Sequence, residues 1–374
     1  MKGTVTIRII VFITVISSLL AATAPTSSGR RPEEYDLPQG PPALKFISVA
    51  AGSHHICAVL SEGKVLCWGN NIMGQLGNGA MIDAPVDKPV EVKGISTATS
   101  VSAGEVHTCA SLRDGGVMCW GSNRFYQLGD RIPNMPEAVP VAGITRAIGI
   151  AAGAFHNCAL ISNGRVRCWG YNKSDQLGNA SEPQSLHPID VPDVAHVVRL
   201  SAGQAHTCAV TESGKVWCWG SNFFGQIGNG SHDNASRPVA VTGLPPARSV
   251  SAGATDTCAV LRDGRVACWG DNATGQLGNG TKTASAKPVF VEGISDAITV
   301  SAGHFHTCAL LKGGGVSCWG NNDHGELGTG PKSGSLKPLK VGDIPPATAV
   351  VTGEWFTCIL LKEDGAVKCW GTTH

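Results

Sequence analysis

Beyond the first 35 residues, short apolar runs alternate with clusters of Gly, Asn, Asp and Pro along the whole chain. Arg248-Ser-Val-Ser251, Thr257-Cys-Ala-Val-Leu261, Arg265-Val-Ala-Cys-Trp269 and Val289-Phe-Val291 are four such runs in succession. Rich in β-branched residues and bounded by turn formers, they predict strands. No stretch after the N-terminus holds a 3.6-residue apolar period, so helices are not expected. The four-run pattern recurs with Trp68, Trp120, Trp169, Trp219, Trp269, Trp319 and Trp370 at equivalent places, 49 to 52 residues apart. A unit of that length buries its apolar faces only against its neighbours. Four short strands per unit predict a propeller blade. The expected fold is all-β, a seven-bladed β-propeller of seven repeats over residues 35–374.

The second and third runs of each unit form a hairpin whose register is readable. Pairing Cys258 with Cys268 leaves Arg262-Asp263-Gly264 as a three-residue loop, with glycine where a left-handed conformation is required. In the last unit the cysteines stand one residue further apart, and the loop Lys362-Glu-Asp-Gly365 is one residue longer. All 14 cysteines fall into such pairs: Cys57/Cys67, Cys109/Cys119, Cys158/Cys168, Cys208/Cys218, Cys258/Cys268, Cys308/Cys318 and Cys358/Cys369. Directly opposed residues of an antiparallel pair stand about 4.5–5.5 Å apart at Cα, which suits a disulfide. One hairpin disulfide per blade is expected, and the spacing matches no zinc-ligand pattern. Tyr35–Ala43 resembles the blade junctions at Val241–Ala247 and Val341–Ala347, while the last unit shows only three runs. That segment is expected to complete the last blade and close the ring.

Lys2 and Arg8, the apolar run Ile9–Leu20 and the small residues from Ala21 to Ser28 have the order of a signal peptide. The expected organisation is a signal peptide over 1–24, cleaved somewhere within 22–29, a linker over 25–34, and the propeller. Loss of the leader changes the formal charge from +1 to about −1. With no basic excess, nucleic acid is not an expected partner, nor is a membrane once the leader is removed. The expected location is secreted and extracellular, with periplasm or cell surface as variants, which suits paired cysteines.

Within the repeat the side chains read Ser-Ala-Gly-x-x-His-Thr-Cys-Ala-Leu-Leu at Ser301–Leu311, Val-Ser-Cys-Trp-Gly at Val316–Gly320 and Asn-Asp-His-Gly-Glu-Leu-Gly-Thr-Gly at Asn322–Gly330. This unit resembles the repeat of the regulator of chromosome condensation family, and the resemblance covers residues 35–374. It implies a seven-bladed propeller. The family's founding member is a nuclear exchange factor for the GTPase Ran that also binds chromatin. A secreted, disulfide-bonded, near-neutral chain suits neither partner, so exchange-factor activity is not expected. The chain is closer in compartment to β-lactamase inhibitor protein II, a secreted bacterial protein that resembles this fold and blocks an enzyme with one propeller face.

The two residues between Ala-Gly and the motif histidine vary from unit to unit: Ser53-His54, Glu105-Val106, Ala154-Phe155, Gln204-Ala205, Ala254-Thr255, His304-Phe305 and Glu354-Trp355. Loops on a rigid scaffold are where binding residues concentrate. The expected contact residues are Glu105, Phe155, His304, Phe305, Glu354 and Trp355, with packing between blades as the competing role for the aromatics. His55, His107, His156, His206 and His306, replaced by Asp256 and Phe356 in two units, are expected to satisfy turn carbonyls in their own blades. A second candidate face is the Asn-x-x-Gly-Gln-Leu-Gly loop, with Arg124-Phe125-Tyr126 and Phe223-Phe224, although core packing is the expected role of these aromatics. Its Gln75, Gln127, Gln176, Gln226 and Gln276 are expected to be structural. Sequons stand at Asn172, Asn179, Asn229, Asn234, Asn272 and Asn279.

Catalytic signatures are missing from the sequence: no His-Glu-x-x-His, no Gly-x-Ser-x-Gly and no phosphate loop. The expected function is a secreted, non-catalytic and monomeric binding module whose channel-mouth loops engage an extracellular protein, in the manner of an enzyme inhibitor. The alternative is a lectin-like propeller that binds glycans. No cofactor or metal is expected.

Overall fold

The computed structural model describes residues 44–372 except 181 and 331. Among them, 27 strands form seven antiparallel sheets, and no helix is present. Six sheets have four strands, and the last has three. Each is a blade, its strands in chain order from the centre outward. The innermost strands are Phe46–Ala51, Ala98–Ala103, Ala147–Ala152, Val197–Ala202, Ala247–Ala252, Ala297–Ala302 and Ala347–Thr352. Each packs beside the next, and Phe46–Ala51 packs on Ala347–Thr352 and on Phe356–Leu361, which closes the ring. The expected contribution of Tyr35–Ala43 to the last blade lies outside the described residues.

The central hairpin follows the predicted register. Cys258 faces Cys268, and the Leu261 amide donates to the Arg265 carbonyl at 2.8 Å. Gly264 turns the loop at φ 91°. The longer loop of the last blade absorbs its extra residue, since Cys358 still faces Cys369.

All seven expected disulfides are present. They join Cys57 to Cys67, Cys109 to Cys119, Cys158 to Cys168, Cys208 to Cys218, Cys258 to Cys268, Cys308 to Cys318 and Cys358 to Cys369. One expectation about them is corrected. The Cα atoms of every pair stand 4.0–4.1 Å apart, closer than the expected 4.5–5.5 Å. Leu261 and Arg265 are a hydrogen-bonded pair, so alternation along the ladder puts Cys258 and Cys268 at a non-hydrogen-bonded pair, the closer of the two types. Cys109 opposite Cys119, Cys158 opposite Cys168, Cys208 opposite Cys218 and Cys308 opposite Cys318 hold the same place in their ladders.

The core is made seam by seam. Cys57 and Cys67 of blade one share a buried cluster with Leu76 and with Ala110 and Trp120 of blade two. Cys258 and Cys268 meet Ala309 and Trp319 in the same way. Each disulfide therefore staples its own hairpin and also packs against the next blade. Trp120, Trp169, Trp219, Trp269 and Trp319 are fully buried. Their indole N–H groups donate to the carbonyls of Gln75, Gln127, Gln176, Gln226 and Gln276 in the preceding blade, at 2.8–3.0 Å. An indole left without an acceptor at that depth would cost about 1–3 kcal/mol.

Candidate functional site

Each inner strand ends in Ala-Gly before turning into the second strand, and the turn carries the variable pair. At Gly203 any Cβ would stand 2.2 Å from the Gly253 carbonyl oxygen of the next blade and 2.6 Å from the His206 ring. Glycine is required there for close approach of backbones, with no unusual φ involved. The Ala-Gly ends, with Ser53, Glu105, Gln204 and His304, surround a narrow channel mouth enclosing about 90 Å³.

The motif histidines lie beneath this ring and are fully buried. Contrary to expectation, their partners are in the following blade. His55, His156, His206 and His306 place Nε2 2.8–2.9 Å from the hydroxyls of Thr108, Thr207, Thr257 and Thr357, and His107 reaches Asn157 Oδ1 at 3.0 Å. The threonine hydroxyls donate onward to the same Gln or Glu carbonyls that take the indole N–H. Each imidazole thus donates from Nε2 and stays neutral. Burial pulls these histidines down, to about 3 for His55, His156 and His306 and about 4 for His107 and His206. At the closing seam Phe356 replaces the histidine and Ile56 the threonine, and the two share an apolar cluster.

The Asn-x-x-Gly-Gln-Leu-Gly loop is built by its asparagine. Asn222 Oδ1 accepts the Ile227 amide, and its Nδ2 donates to the Ser231 and Asp233 carbonyls. Asn71, Asn123, Asn172, Asn272 and Asn322 accept the equivalent amide in their own loops. The loop glutamines are buried, and Gln75 Oε1 takes the Met73 amide while Gln226 Oε1 takes that of Phe224. Two of the six sequon asparagines, Asn172 and Asn272, are thus buried clamps with their amides committed to backbone. Asn234 is exposed, and Asn179, Asn229 and Asn279 are half-buried.

The two candidate faces expected from the sequence are one surface. The loop of each blade lies beside the variable pair of the next. Phe155 meets Phe125 edge-on at 5.1 Å, and Phe125 meets Tyr171 at 4.6 Å. The Thr274 hydroxyl donates to the Phe305 carbonyl at 2.8 Å. Trp355 stacks on His324 at 4.9 Å and tilts against His54 at 5.3 Å. Sequence alone missed this union because the partners are about 30 residues apart and in different blades. The signal available was an aromatic in the loop of one unit followed by an aromatic in the variable pair of the next, as with Phe125 and Phe155.

Around this rim the six expected contact residues fall into sectors. Phe155 is half-buried in its aromatic trio, so it serves packing and surface together. Phe305 is 38% exposed, and Phe223, further out on the same rim, is 76% exposed. Glu354 Oε2 lies 3.2 Å from His54 Nε2 and 3.7 Å from His304 Nδ1. His304 also stands 3.5 Å from the Ser53 hydroxyl. Glu105 faces the mouth, its carboxyl raised above the ordinary value by burial and then by the charge of Glu354. His304 is lowered, because burial and His54 outweigh Glu354. Among the described residues no group of His, Cys, Asp and Glu is placed to hold a metal ion.

Residues 21–298 match the RCC1-like domain, and RCC1 repeats match at 297–326 and 313–360. The chain belongs to the RCC1-like domain family. Protein pim1 of Schizosaccharomyces pombe is 40% identical over 121 residues, 30% of this chain and 22% of pim1. The ultraviolet-B receptor UVR8 of Arabidopsis thaliana is 36% identical over 99 residues, 26% of this chain and 22% of the receptor. The matched stretches thus take in about a fifth of those relatives' lengths. The solved structure of human WBSCR16 overlays with a TM-score of 0.79 at 22% identity, covering 86% of this chain and 88% of that one. RCC1-like propellers are a protein-interaction fold, and the rim of this member carries side chains that vary from blade to blade.

Proposed function

We propose that this RCC1-like propeller works outside the cell as a non-catalytic binding module, engaging a protein partner through the channel-mouth rim, in the manner of an enzyme inhibitor. The observation that carries the reading is the composite rim. Side chains of two variable loops gather on this face, and they include half-exposed Phe155, Phe305 and Trp355. Aromatic anchors dominate protein–protein interface energetics, and here Glu105 and His304 line the mouth beside them. Seven disulfides with no free cysteine among the described residues support an oxidising compartment. The signal-peptide pattern of the first 24 residues supports export.

The test is affinity capture from the source organism's secretions. Wild type is compared with a Phe155→Ala/Phe305→Ala/Trp355→Ala variant and with an Ile148→Ala variant at the opposite end of an inner strand. A protein retained by wild type and Ile148→Ala and lost by the triple variant is the expected result. Equal retention by all three overturns the rim assignment.

A further inference from the structure

The face opposite the rim carries the hairpin loops and the junctions between blades. Between blades three and four it holds a second pocket of about 350 Å³, whose lining includes Asp193, His196, Glu212, Ser213, Lys215 and Trp217. Such a volume suits a small molecule. The pocket is particular to this blade. Trp217 stands where the other blades have Leu66, Met118, Arg167, Ala267, Ser317 and Lys368, none of them aromatic.

The lip of the pocket departs from the repeat as well. At this junction four sister blades use Gly94, Gly143, Gly243 and Gly293 at φ 71–81° and blade six has Asp343, which is not left-handed; Asp193 takes the left-handed conformation at φ 63°. A side chain there is costlier than glycine, and strain of this kind gathers at ligand sites. Asp193 Oδ2 is fixed by Arg237 at 2.9 Å. The Glu212 amide donates to the His196 carbonyl at 2.9 Å, the bond that ties hairpin loop to junction in every blade. The Ser213 and Thr211 hydroxyls lie 2.9 Å apart.

We infer that this pocket is a binding site for a neutral pyranose, its C–H face stacked on Trp217 and its hydroxyls bonded to Asp193, Glu212 and Ser213. A pyranose presents one apolar face and a polar edge, the two chemistries that the pocket sets side by side. Aromatic rings supply a flat apolar platform, and a carboxylate accepts hydrogen bonds without needing a proton of its own. Asp193 is already paired with Arg237, and Glu212 and Lys215 offset each other in the lining, a charge balance that suits a neutral sugar. Lys215 Nζ lies 4.3 Å above the Trp217 ring. It makes no ion pair among the described residues, and an exposed contact of this type is weak enough for a ligand to displace.

Saturation-transfer NMR with methyl glucoside, galactoside, mannoside and N-acetylglucosaminide, and with glucuronate as the acidic control, tests this on the whole chain. Wild type is expected to bind at least one neutral glycoside at millimolar concentration and not glucuronate. Trp217→Ala is expected to weaken binding at least ten-fold. Asp193→Gly installs the glycine that four sister blades carry at this left-handed position, so it is expected to weaken binding equally while Tm stays the same or rises. Absence of signal with every neutral glycoside, preference for glucuronate, or unchanged binding in either variant overturns the assignment. Binding lost instead in the Phe155/Phe305/Trp355 alanine variant overturns it too, because it places the sugar on the rim.

Discussion

His206 donates from Nε2 to the Thr257 hydroxyl, whose own hydrogen is committed to the Gln226 carbonyl, so the order of donors along the seam fixes the tautomer. Where the histidine is replaced, the seam changes character. Phe356 against Ile56 exchanges a hydrogen bond for apolar contact. Asp256 has no such compensation: it is buried, it reaches no donor in the next blade, and burial and then Asp271 raise its carboxyl well above the ordinary value. A raised carboxyl stabilises the fold only at acidic pH and costs stability once the unfolded chain ionises, near 3.8. Asp256→His supplies a donor to Thr307 and removes that cost. Thermal unfolding at pH 7 is expected to show a gain of about 1–2 kcal/mol. An unchanged or lowered Tm would mean that the seam does not admit the ring. The importance of these positions was legible in their recurrence, but their partners were not, because a residue pattern within one unit does not say which neighbouring unit supplies the acceptor.

The hairpin was the most legible element. Its alternation, its loop glycine and its cysteine spacing each gave the same register, and Cys258 opposite Cys268 follows from all three. The seam packing of the disulfides was not legible, since period-two alternation tells which side chains share a face but not what covers it. The consequence is measurable. Constraint of a loop this short accounts for about 2–3 kcal/mol per bridge, and the sulfurs also fill space against the next blade's Trp. A Cys258→Ala/Cys268→Ala variant is expected to lose more than the loop term alone, at least about 3 kcal/mol in urea unfolding. A loss no larger than the loop term, below about 3 kcal/mol, would show that the bridge acts within its hairpin only. The Asn clamp carries a similar lesson, because sequon spacing at Asn172 and Asn272 reads as a modification signal while the fold spends both amides on loop geometry.

Across the whole molecule five buried histidines act in the same direction on pH stability. Their folded values lie at about 3 to 4, below the ordinary 6.5, so the unfolded chain binds more protons between those limits. Stability is therefore full above about pH 6.5 and falls as pH drops toward 4, by up to about 1.4 kcal/mol per pH unit for each histidine. Tm measured from about pH 7.5 to 4.5 is expected to decline steeply below pH 6.5; a flat profile would contradict the burial of these rings. The seven-fold architecture was readable from period alone, whereas the rim required the ring to bring loops of adjacent blades together. The claim that this rim is the working surface is tested most directly by hydrogen exchange on the complex with a captured partner. Slowed exchange is expected in the turns around 53–55, 105–107, 154–156, 304–306 and 354–356 and in the loops beside them. Slowing confined to the opposite hairpin loops, around 61–64, 162–165 and 262–265, with the rim unchanged, would contradict the account.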